Sequence, residues 1–295
     1  MINFFQKTFS LFFASIFLFL LAIPSPVNAA EIGYIQAIKD RGYIKVGLPP
    51  YTTPPFYYND KKSGQLLGYD VEIATNFADQ LGVEVQFDRD SKSFNDLVRR
   101  AGAGDFDLGI GKLGTTYKRM SDAHPHEYMN FRHALLARRK SIASVKGQTP
   151  DDKFAKVLLD SKLKIGFIKN SAYDTFANRL FPNAEKIGYK NWGDCKKALL
   201  NNEVDAIYRD ATEIKKIVYQ RPTLSLTYVP VLFEDIIDQK SIYLSTKAEQ
   251  DLGSILDYFL SREVSIKSDS EIMADYSSFY QPIKDSKPAS SSKTK

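Results

Sequence analysis

The pattern of apolar and polar positions predicts a chain in which β-strands alternate with α-helices. Runs of apolar or alternating residues, four to eight long, indicate strands, and apolar residues spaced three and four apart indicate helices. In the first third of the chain, strands are predicted at 43–47, 83–87 and 106–110, and helices at 35–41, 71–81 and 94–101. Asp70 is placed to cap the helix over 71–81, and Gly82 is placed to end it.

The same order of elements returns after residue 160. Strands are predicted at 163–167, 186–189 and 204–207 and a helix at 174–180, and the segment 192–207 repeats the helix and strand of 94–109 in register. Phe94 and Trp192 precede the aspartates of their following strands, Asp107 and Asp205, by the same interval. A strand–helix order that runs twice predicts two α/β lobes with largely parallel strands, and ligands of such sheets bind beyond the carboxyl ends of the strands.

The repeat also predicts how the chain is divided. We expect the chain to cross between lobes at Tyr128–Arg132 and to return at Phe233–Lys240, with a late helix over 249–260. Lobe 1 would then comprise 30–130 and 238–282, lobe 2 would comprise 131–237, and 283–295 would form a disordered tail because it lacks apolar periodicity.

Residues 1–29 have the anatomy of a secretory signal peptide. Lys7 gives a positive start, Leu11–Ile23 is apolar, and Val27–Ala29 forms a small-residue cleavage site. The apolar run is short for a membrane span. We therefore expect a mature chain that begins at Ala30 or Glu31 and is soluble in the periplasm.

Composition excludes several classes of protein. The 295 residues are 43% hydrophobic and 25% charged, with a net charge of +5, which are ordinary globular values. The basic residues form no dense stripe with interleaved aromatics, so nucleic-acid binding is not indicated. Cys195 is the only cysteine of the mature chain, which excludes an internal disulfide and favours a buried structural thiol over a catalytic one.

One segment, Gly104–Arg119, carries the most specific chemistry. An apolar strand is predicted to open into a loop of small and hydroxyl residues, which leaves backbone N–H groups free for an anion. Arg119 adds a planar, charged fork that fits a carboxylate. The repeat places Asp210 at the matching position of the second lobe, on the facing lip of one cleft. On this segment alone, a solvated arginine at the start of a surface helix is the alternative.

Several segments together resemble the bacterial extracellular solute-binding proteins of the polar amino-acid type, family 3. The segments that carry the resemblance are Ile44–Gly47, Pro54–Tyr58, Gly64–Leu81, Gly104–Arg119 and Asn202–Asp210. The resemblance implies a two-lobed type II periplasmic binding-protein fold of the α/β class, with a two-strand hinge and a ligand held between the lobes. It also implies a monomer without a cofactor.

The resemblance further implies roles for individual residues. Arg119 would bind the α-carboxylate of an amino acid, with Gly114 and Thr116 beside it, and Asp210 would bind the α-ammonium group. Ser171 would hold the carboxylate at a helix N-terminus. Phe94 and the proline-rich loop, including Phe56, would wall the side-chain pocket.

This sequence departs from the family pattern near the implied site. Ala172 and Gly114 stand where hydroxyl residues are common, and Lys112 stands near the ammonium site, where Ser, Gly or Ala is usual. An inward Lys112 or Arg132 would favour an acidic or amide amino acid as the ligand. The alternative interpretation, in which both side chains point to solvent, is slightly preferred over this one.

The function that follows is capture of an amino acid and its delivery to an inner-membrane ABC permease. A periplasmic enzyme of the cyclohexadienyl-dehydratase kind is one alternative, but no glutamate is marked by a motif as its acid–base group. A ligand sensor for a membrane receptor is another, and it would use the same closure. His124, His126 and His133 lack the pattern of a metal site, and none is expected.

Overall fold

The computed structural model describes residues 33–147, 150 and 156–283. Strands occupy Tyr43–Gly47 (β1), Tyr58–Asn59 (β2), Leu66–Leu67 (β3), Glu84–Asp88 (β4), Leu108–Gly114 (β5), His124–Arg138 (β6), Lys164–Ile168 (β7), Glu185–Tyr189 (β8), Ala206–Asp210 (β9), Tyr228–Leu244 (β10) and Lys267–Ser268 (β11). α-Helices span Tyr34–Arg41, Tyr69–Leu81, Phe94–Gly102, Tyr117–Met120, Arg139–Lys146, Ala172–Leu180, Trp192–Leu200, Ala211–Gln220, Thr246–Ala248, Ser254–Phe259 and Asp269–Asp275. The predicted signal peptide and residues 284–295 of the predicted tail lie outside the described residues.

The main sheet joins two groups of parallel strands through a central antiparallel pair. Its order is β4-β1-β5-β10-β6-β9-β7-β8, and β11 pairs with β6 at the side. β1 pairs in parallel with β4 and β5, and β7 pairs in parallel with β8 and β9. The alternation of strands and helices predicted from the sequence is thus confirmed, and each parallel group corresponds to one round of the repeat.

Two long strands connect these groups. β6 and β10 pair antiparallel from Tyr228 opposite Arg138 to Leu244 opposite His124, with register shifts near Phe233 and Lys240. The predicted crossings, Tyr128–Arg132 and Phe233–Lys240, lie inside these two strands. The exact division into lobes, 30–130 with 238–282 and 131–237, stays a prediction.

The strand before Arg119 differs from its prediction. It runs over Leu108–Gly114 instead of 106–110, so the first part of the predicted loop, Gly111–Gly114, belongs to β5. The extension arises from pairing with β10, where Lys240 lies opposite Gly114 and Ser241 opposite Leu113. The loop therefore begins only at Thr115.

Two helix predictions also need correction. The late helix is not one regular element over 249–260, because π-helical turns at Glu249–Gly253 and Leu260–Val264 flank its α-helical part. The helix over Tyr69–Leu81 begins after Gly68, so the expectation that Asp70 is its N-cap is wrong. Within the described ranges, no helix has both the length and the apolarity needed to cross a bilayer.

Asp70 is instead a fully buried carboxyl inside this helix. Its Oδ1 accepts a hydrogen bond from the Tyr128 hydroxyl at 2.8 Å, and that hydroxyl accepts the Lys112 backbone N–H at 3.0 Å. Burial raises the pKa of Asp70 to about 7, because the charged form loses its hydration. Asp70 thereby links the helix Tyr69–Leu81 to the backbone of β5.

The raised pKa predicts a specific pH dependence of stability. Between pH 4 and 7, roughly, the unfolded chain releases the Asp70 proton while the folded chain retains it, so the free energy of unfolding falls as pH rises. Asp70→Asn keeps an acceptor for Tyr128 and removes this ionisation. In urea unfolding at pH 4.5 and pH 8, we expect the wild type to lose stability relative to Asp70→Asn at the higher pH. The exposed Asp79→Asn on the same helix is the control, and equal pH slopes for all three proteins would contradict the assignment.

Candidate functional site

Two adjacent cavities lie where the two strand groups face each other. The inner cavity has a volume of about 20 Å³ and is lined by Arg119, Lys112 and Asp210, among others. The outer cavity has a volume of about 500 Å³. Phe94, Ile168 and Arg209 line both. A cavity of roughly 10–15 Å³ by this measure holds one water molecule, so the inner cavity has room for little more than that, and a solute can enter only if its walls separate.

Arg119 is held at the inner cavity by the turn that follows β5. The Thr116 hydroxyl caps the short helix Tyr117–Met120 by accepting the Arg119 N–H at 3.2 Å. The Arg119 side chain is buried, with 3% exposure, and is not the solvated arginine of the alternative interpretation. One terminal nitrogen donates to the Gly114 carbonyl at 2.7 Å, while Nε and the other terminal nitrogen donate to Asn95 Oδ1 at 3.0 and 2.8 Å.

This arrangement leaves Arg119 able to bind an anion. A guanidinium carries five N–H donors, and three of them make the bonds to Gly114 and Asn95. Burial lowers the pKa of Arg119, but an arginine stays charged at any physiological pH. The inner cavity thus contains a charged, planar guanidinium whose donors are not all used by Gly114 and Asn95.

Lys112 faces the cavity, so the interpretation that it points to solvent is wrong. Its ammonium group donates to Asp210 Oδ1 at 3.0 Å, to the Thr212 hydroxyl at 3.1 Å and to Glu213 Oε1 at 3.3 Å. The ammonium nitrogen also lies 4.4 Å from the centre of the Phe56 ring. Arg132, the other residue considered as an inward-facing cation, is not among the described residues that line either cavity. It pairs with Asp269 and Glu234.

Asp210 ends β9 and caps the next helix. Its Oδ1 accepts the Glu213 N–H at 3.2 Å as well as the ammonium of Lys112. Burial alone would raise the pKa of Asp210, but the charges of Lys112, Lys240 and Arg209 outweigh burial and hold it below its ordinary value. The carboxylate is therefore ionised. Its second oxygen, Oδ2, is buried without a hydrogen-bond partner among the described residues.

Gly114 and Ser171 lie at the closest approach of the two strand groups. A Cβ on Gly114 would lie 2.5 Å from Asp238 Oδ1 and 2.9 Å from the Ala172 Cβ, which explains why no hydroxyl residue stands at position 114. The Ser171 hydroxyl donates to the Ile168 carbonyl at 2.6 Å and makes no cap bond to its helix. Both residues line the inner cavity.

The two predicted aromatic residues have different positions. Phe94 lines both cavities and contacts Tyr51, with 5.4 Å between ring centres. Phe56 is fully buried and packs beneath Lys112 and against Phe131. Within the described chain, Phe56 is not among the residues that line either cavity, so the wall of the pocket is formed by the earlier part of the loop, from Tyr51 to Pro54.

A buried pair on β10 was missed by the sequence analysis. Lys240 lines the inner cavity and forms an ion pair with Asp238, which also accepts the Tyr173 hydroxyl at 2.6 Å. Lys240 and Asp238 are 1% and 0% exposed. Their spacing of two residues places both side chains on one face of a strand, and this alternation in 238–240 was the available signal.

The outer cavity has a cationic and aromatic lining that the sequence analysis also missed. Lys196, Arg209 and Lys216 line it together with Trp192, and the Arg209 guanidinium lies 5.2 Å from the centre of the Trp192 ring. Glu213, the one carboxylate among the described residues that line it, is already paired with Lys112. These residues come from the helices Trp192–Leu200 and Ala211–Gln220 and from the end of β9.

The histidines and the cysteine contribute to other parts of the molecule. His126 contacts Glu249 and Asp257 at 2.7 and 2.6 Å, and the buried His133 contacts Tyr208. In the part of the chain that the structure describes, no group of three or more His, Cys, Asp or Glu side chains could hold a metal ion. Cys195 is buried, which raises the pKa of its thiol to about 12.

Comparison with known proteins identifies similar sequences and folds. The family model for bacterial extracellular solute-binding proteins, family 3, matches residues 44–272. The L-cystine-binding protein TcyA of Bacillus subtilis (strain 168) is 30% identical over 127 residues, which cover 41% of this chain and 46% of TcyA. The chain thus matches about half the length of this curated relative.

Solved structures resemble the fold over a larger part of the chain. The amino acid ABC transporter substrate-binding protein AbpA of Streptococcus pneumoniae, bound to L-arginine, has a TM-score of 0.65 at 23% identity, covering 83% of this chain and 99% of AbpA. The ancestral amino acid-binding protein AncCDT-1, a precursor of cyclohexadienyl dehydratase, has a TM-score of 0.61 at 18% identity, covering 83% and 97%. These likenesses confirm the predicted two-lobed type II periplasmic binding-protein fold.

Proposed function

The chain belongs to the bacterial extracellular solute-binding proteins, family 3, and we propose that it captures a small carboxylate-bearing solute of amino-acid size between its lobes in the periplasm and delivers it to an ABC permease. The observation that carries this proposal is the buried Arg119, which faces the same inner cavity as Asp210 and Lys112. A relative named for L-cystine and a structure with bound L-arginine support a ligand of amino-acid size.

The chemistry of Arg119 indicates that the part of the solute bound in the inner cavity is a carboxylate. The guanidinium is planar and carries donors beyond those bonded to Gly114 and Asn95, and a guanidinium is the side chain that can bind a carboxylate through two parallel hydrogen bonds. The surrounding walls exclude water, so the attraction between the charges is stronger than at a surface. We therefore place the carboxylate of the solute on Arg119, close to Gly114 and Ser171.

The outer cavity supports an acidic or polar group at the other end of the solute. Of the described residues that line this space, Lys196, Arg209 and Lys216 are cations, whereas the one carboxylate, Glu213, is neutralised by Lys112. A cationic side chain, such as that of the arginine bound to AbpA, would meet like charges. We therefore still propose an acidic or amide side chain on the solute. The cations that favour it are those of the outer cavity, however, and not Lys112.

Binding requires the lobes to separate and close again. The inner cavity is too small for a solute while Gly114 lies against Ala172 and the Asn95 N–H donates to the Asn170 carbonyl at 3.1 Å across the cleft. A solute that bridges both lobes contacts all of its partners only in the closed form and shifts the population toward it. A permease that recognises the closed form would then distinguish loaded from empty protein.

The dehydratase-like alternative is less well supported by the geometry. Such an enzyme needs a carboxylic acid that holds its proton near neutral pH. Glu213 is the glutamate at the cavities, and burial would raise its pKa, but Lys112 and Arg209 lower it below the ordinary value. Glu213 is thus ionised and is not suited to donate a proton, which favours binding over catalysis.

A thermal-shift screen tests the proposed function. The purified mature protein would be heated with each of a panel of small carboxylates, comprising the common amino acids and their 2-hydroxy and 2-oxo counterparts. A true ligand at 100 times its Kd stabilises the folded state by about 2.7 kcal/mol, which raises the Tm by several degrees. Neutral sugars and alcohols of similar size serve as controls. If no carboxylate raises the Tm more than these controls do, the proposed function is wrong.

A further inference from the structure

Resting on the proposed solute-binding function, we propose that Lys112 is a built-in substitute for the ammonium group of a ligand, so that the inner cavity selects a 2-hydroxy acid over the corresponding 2-amino acid. The position where a bound amino acid would present its ammonium group to Asp210 is filled by the side chain of this lysine. The selected solute therefore has the carboxylate of an amino acid but a hydroxyl in place of the amine.

The Lys112 ammonium group is fully used by the protein. An ammonium group has three N–H donors, and Asp210, Thr212 and Glu213 supply three acceptors at 3.0, 3.1 and 3.3 Å. The side chain is 2% exposed, so none of these bonds competes with bulk water. An incoming ammonium group would have to displace this network or share Asp210 with it.

The backbone at Lys112 is also fixed in place. Lys112 has a φ of 54°, which residues with a side chain rarely adopt, and its N–H donates to the Tyr128 hydroxyl at 3.0 Å. That hydroxyl in turn donates to the buried Asp70. The lysine is thus directed into the inner cavity by the β5 backbone as well as by its own ion pairs, which is what a permanent component of the site requires.

The charges at the inner cavity disfavour a second ammonium group. The cations at this site are Lys112, Arg119, Arg209 and Lys240, whereas the carboxylates that face them are Asp210, Glu213 and Asp238. Among these described residues, cations exceed carboxylates by one, so a solute that contributes only the negative charge of a carboxylate balances them. A zwitterion would leave the excess positive charge in place, and its own ammonium group would lie beside that of Lys112.

Asp210 still offers an acceptor, and this favours a hydroxyl at carbon 2. Its Oδ2 is buried without a hydrogen-bond partner among the described residues, and Arg209 Nε lies 3.7 Å away from it. A hydroxyl on the solute would donate to this oxygen without adding charge. A 2-oxo group has only lone pairs to present to it, so the 2-oxo acid is expected to bind less well than the 2-hydroxy acid.

Calorimetric titration of matched solutes tests this inference. The probes are two series that differ only at carbon 2: L-malate, L-aspartate and oxaloacetate, and L-2-hydroxyglutarate, L-glutamate and 2-oxoglutarate. For wild-type protein, we expect the 2-hydroxy acid of the better-binding series to have a Kd at least tenfold lower than its amino counterpart. In Lys112→Met, Asp210 becomes available to an ammonium group, and the preference is expected to reverse.

Lys118→Met provides the matched control, because Lys118 is an exposed lysine six residues along the same segment. It should retain the wild-type ratio of the two Kd values. An amino acid that binds wild type as tightly as its 2-hydroxy counterpart would overturn the inference and leave the solute-binding function standing. A 2-oxo acid that binds best would overturn the assignment of a hydroxyl to Asp210.

The ratio of the two Kd values in wild-type protein tests the inference even if Lys112→Met does not fold. In that case Lys112→Gln serves as the second variant. A folded Lys112 variant whose ratio equals that of wild type would also overturn the role given to Lys112. If neither series binds and the thermal-shift panel shows an amino acid as ligand, the inference is wrong and the proposed function holds. If no carboxylate in the panel binds at all, the proposed function itself is wrong.

Discussion

Replacing Arg119 with alanine is expected to weaken binding of the panel's best carboxylate by about two to three decades. Removing one partner of a desolvated, hydrogen-bonded charge pair costs roughly 2–5 kcal/mol, because the other charge is left without a partner. Arg119 is 3% exposed and faces the inner cavity, so water cannot replace it as the partner of the carboxylate. Isothermal titration calorimetry of both proteins with the same solute measures the difference.

Two further variants separate loss of the charge pair from loss of the fold. Arg119→Lys keeps the positive charge but loses the planar fork, and an intermediate affinity is expected. Arg99→Ala removes an exposed arginine whose partner is Asp96 on the same helix, and it should bind as wild type does. Circular dichroism must show all three variants to be folded. Wild-type affinity in a folded Arg119→Ala protein would show that the carboxylate binds elsewhere.

Gly68→Ala is expected to produce a large loss of stability. Gly68 has a φ of 125°, and a Cβ there would lie 2.4 Å from the Phe56 carbonyl oxygen and 2.5 Å from that of Pro55. The next two residues donate their N–H groups to these same carbonyls, Tyr69 to Pro55 and Asp70 to Phe56, each at 3.0 Å. Gly68 therefore joins the proline-rich loop to the helix Tyr69–Leu81.

The clash involves backbone atoms that cannot move without breaking those hydrogen bonds. We expect the free energy of unfolding of Gly68→Ala to fall by about 3 kcal/mol or more, measured by urea unfolding. Gly64→Ala is the matched control, because Gly64 also has a positive φ, 72°, but nothing lies within 4 Å of an added Cβ. It should lose only about 1–2 kcal/mol, the cost of the left-handed backbone. Equal losses in the two variants would contradict the steric explanation.

The elements that could be predicted from the sequence are those specified by local patterns. Helix Phe94–Gly102 and helix Trp192–Leu200 follow from the spacing of their apolar residues, and the repeat places Arg119 and Asp210 in one cleft. The end of β5 could not be predicted in this way. It extends to Gly114 because it pairs with Lys240 and Ser241, residues more than 120 positions away in the sequence.

The details of the site depend on contacts that a single sequence does not reveal. Lys112 pairs with Asp210 across 98 positions, and nothing in the residues around Lys112 distinguishes an inward lysine from a solvated one. Asp70 is similar: its sequence position suits an N-cap, but burial against Tyr128 decides its role. Asp238 and Lys240 were visible as an alternating pair, but they could be placed in the cavity only once β10 was known to pass through it.

A crystal structure of the protein grown with the carboxylate that raises the Tm most would test the central claim most directly. The account predicts that the solute lies in the cleft with its carboxylate within hydrogen-bond distance of both Arg119 terminal nitrogens, and that Lys112 remains paired with Asp210. A solute bound outside the two cavities, or one whose carboxylate makes no contact with Arg119, would contradict it.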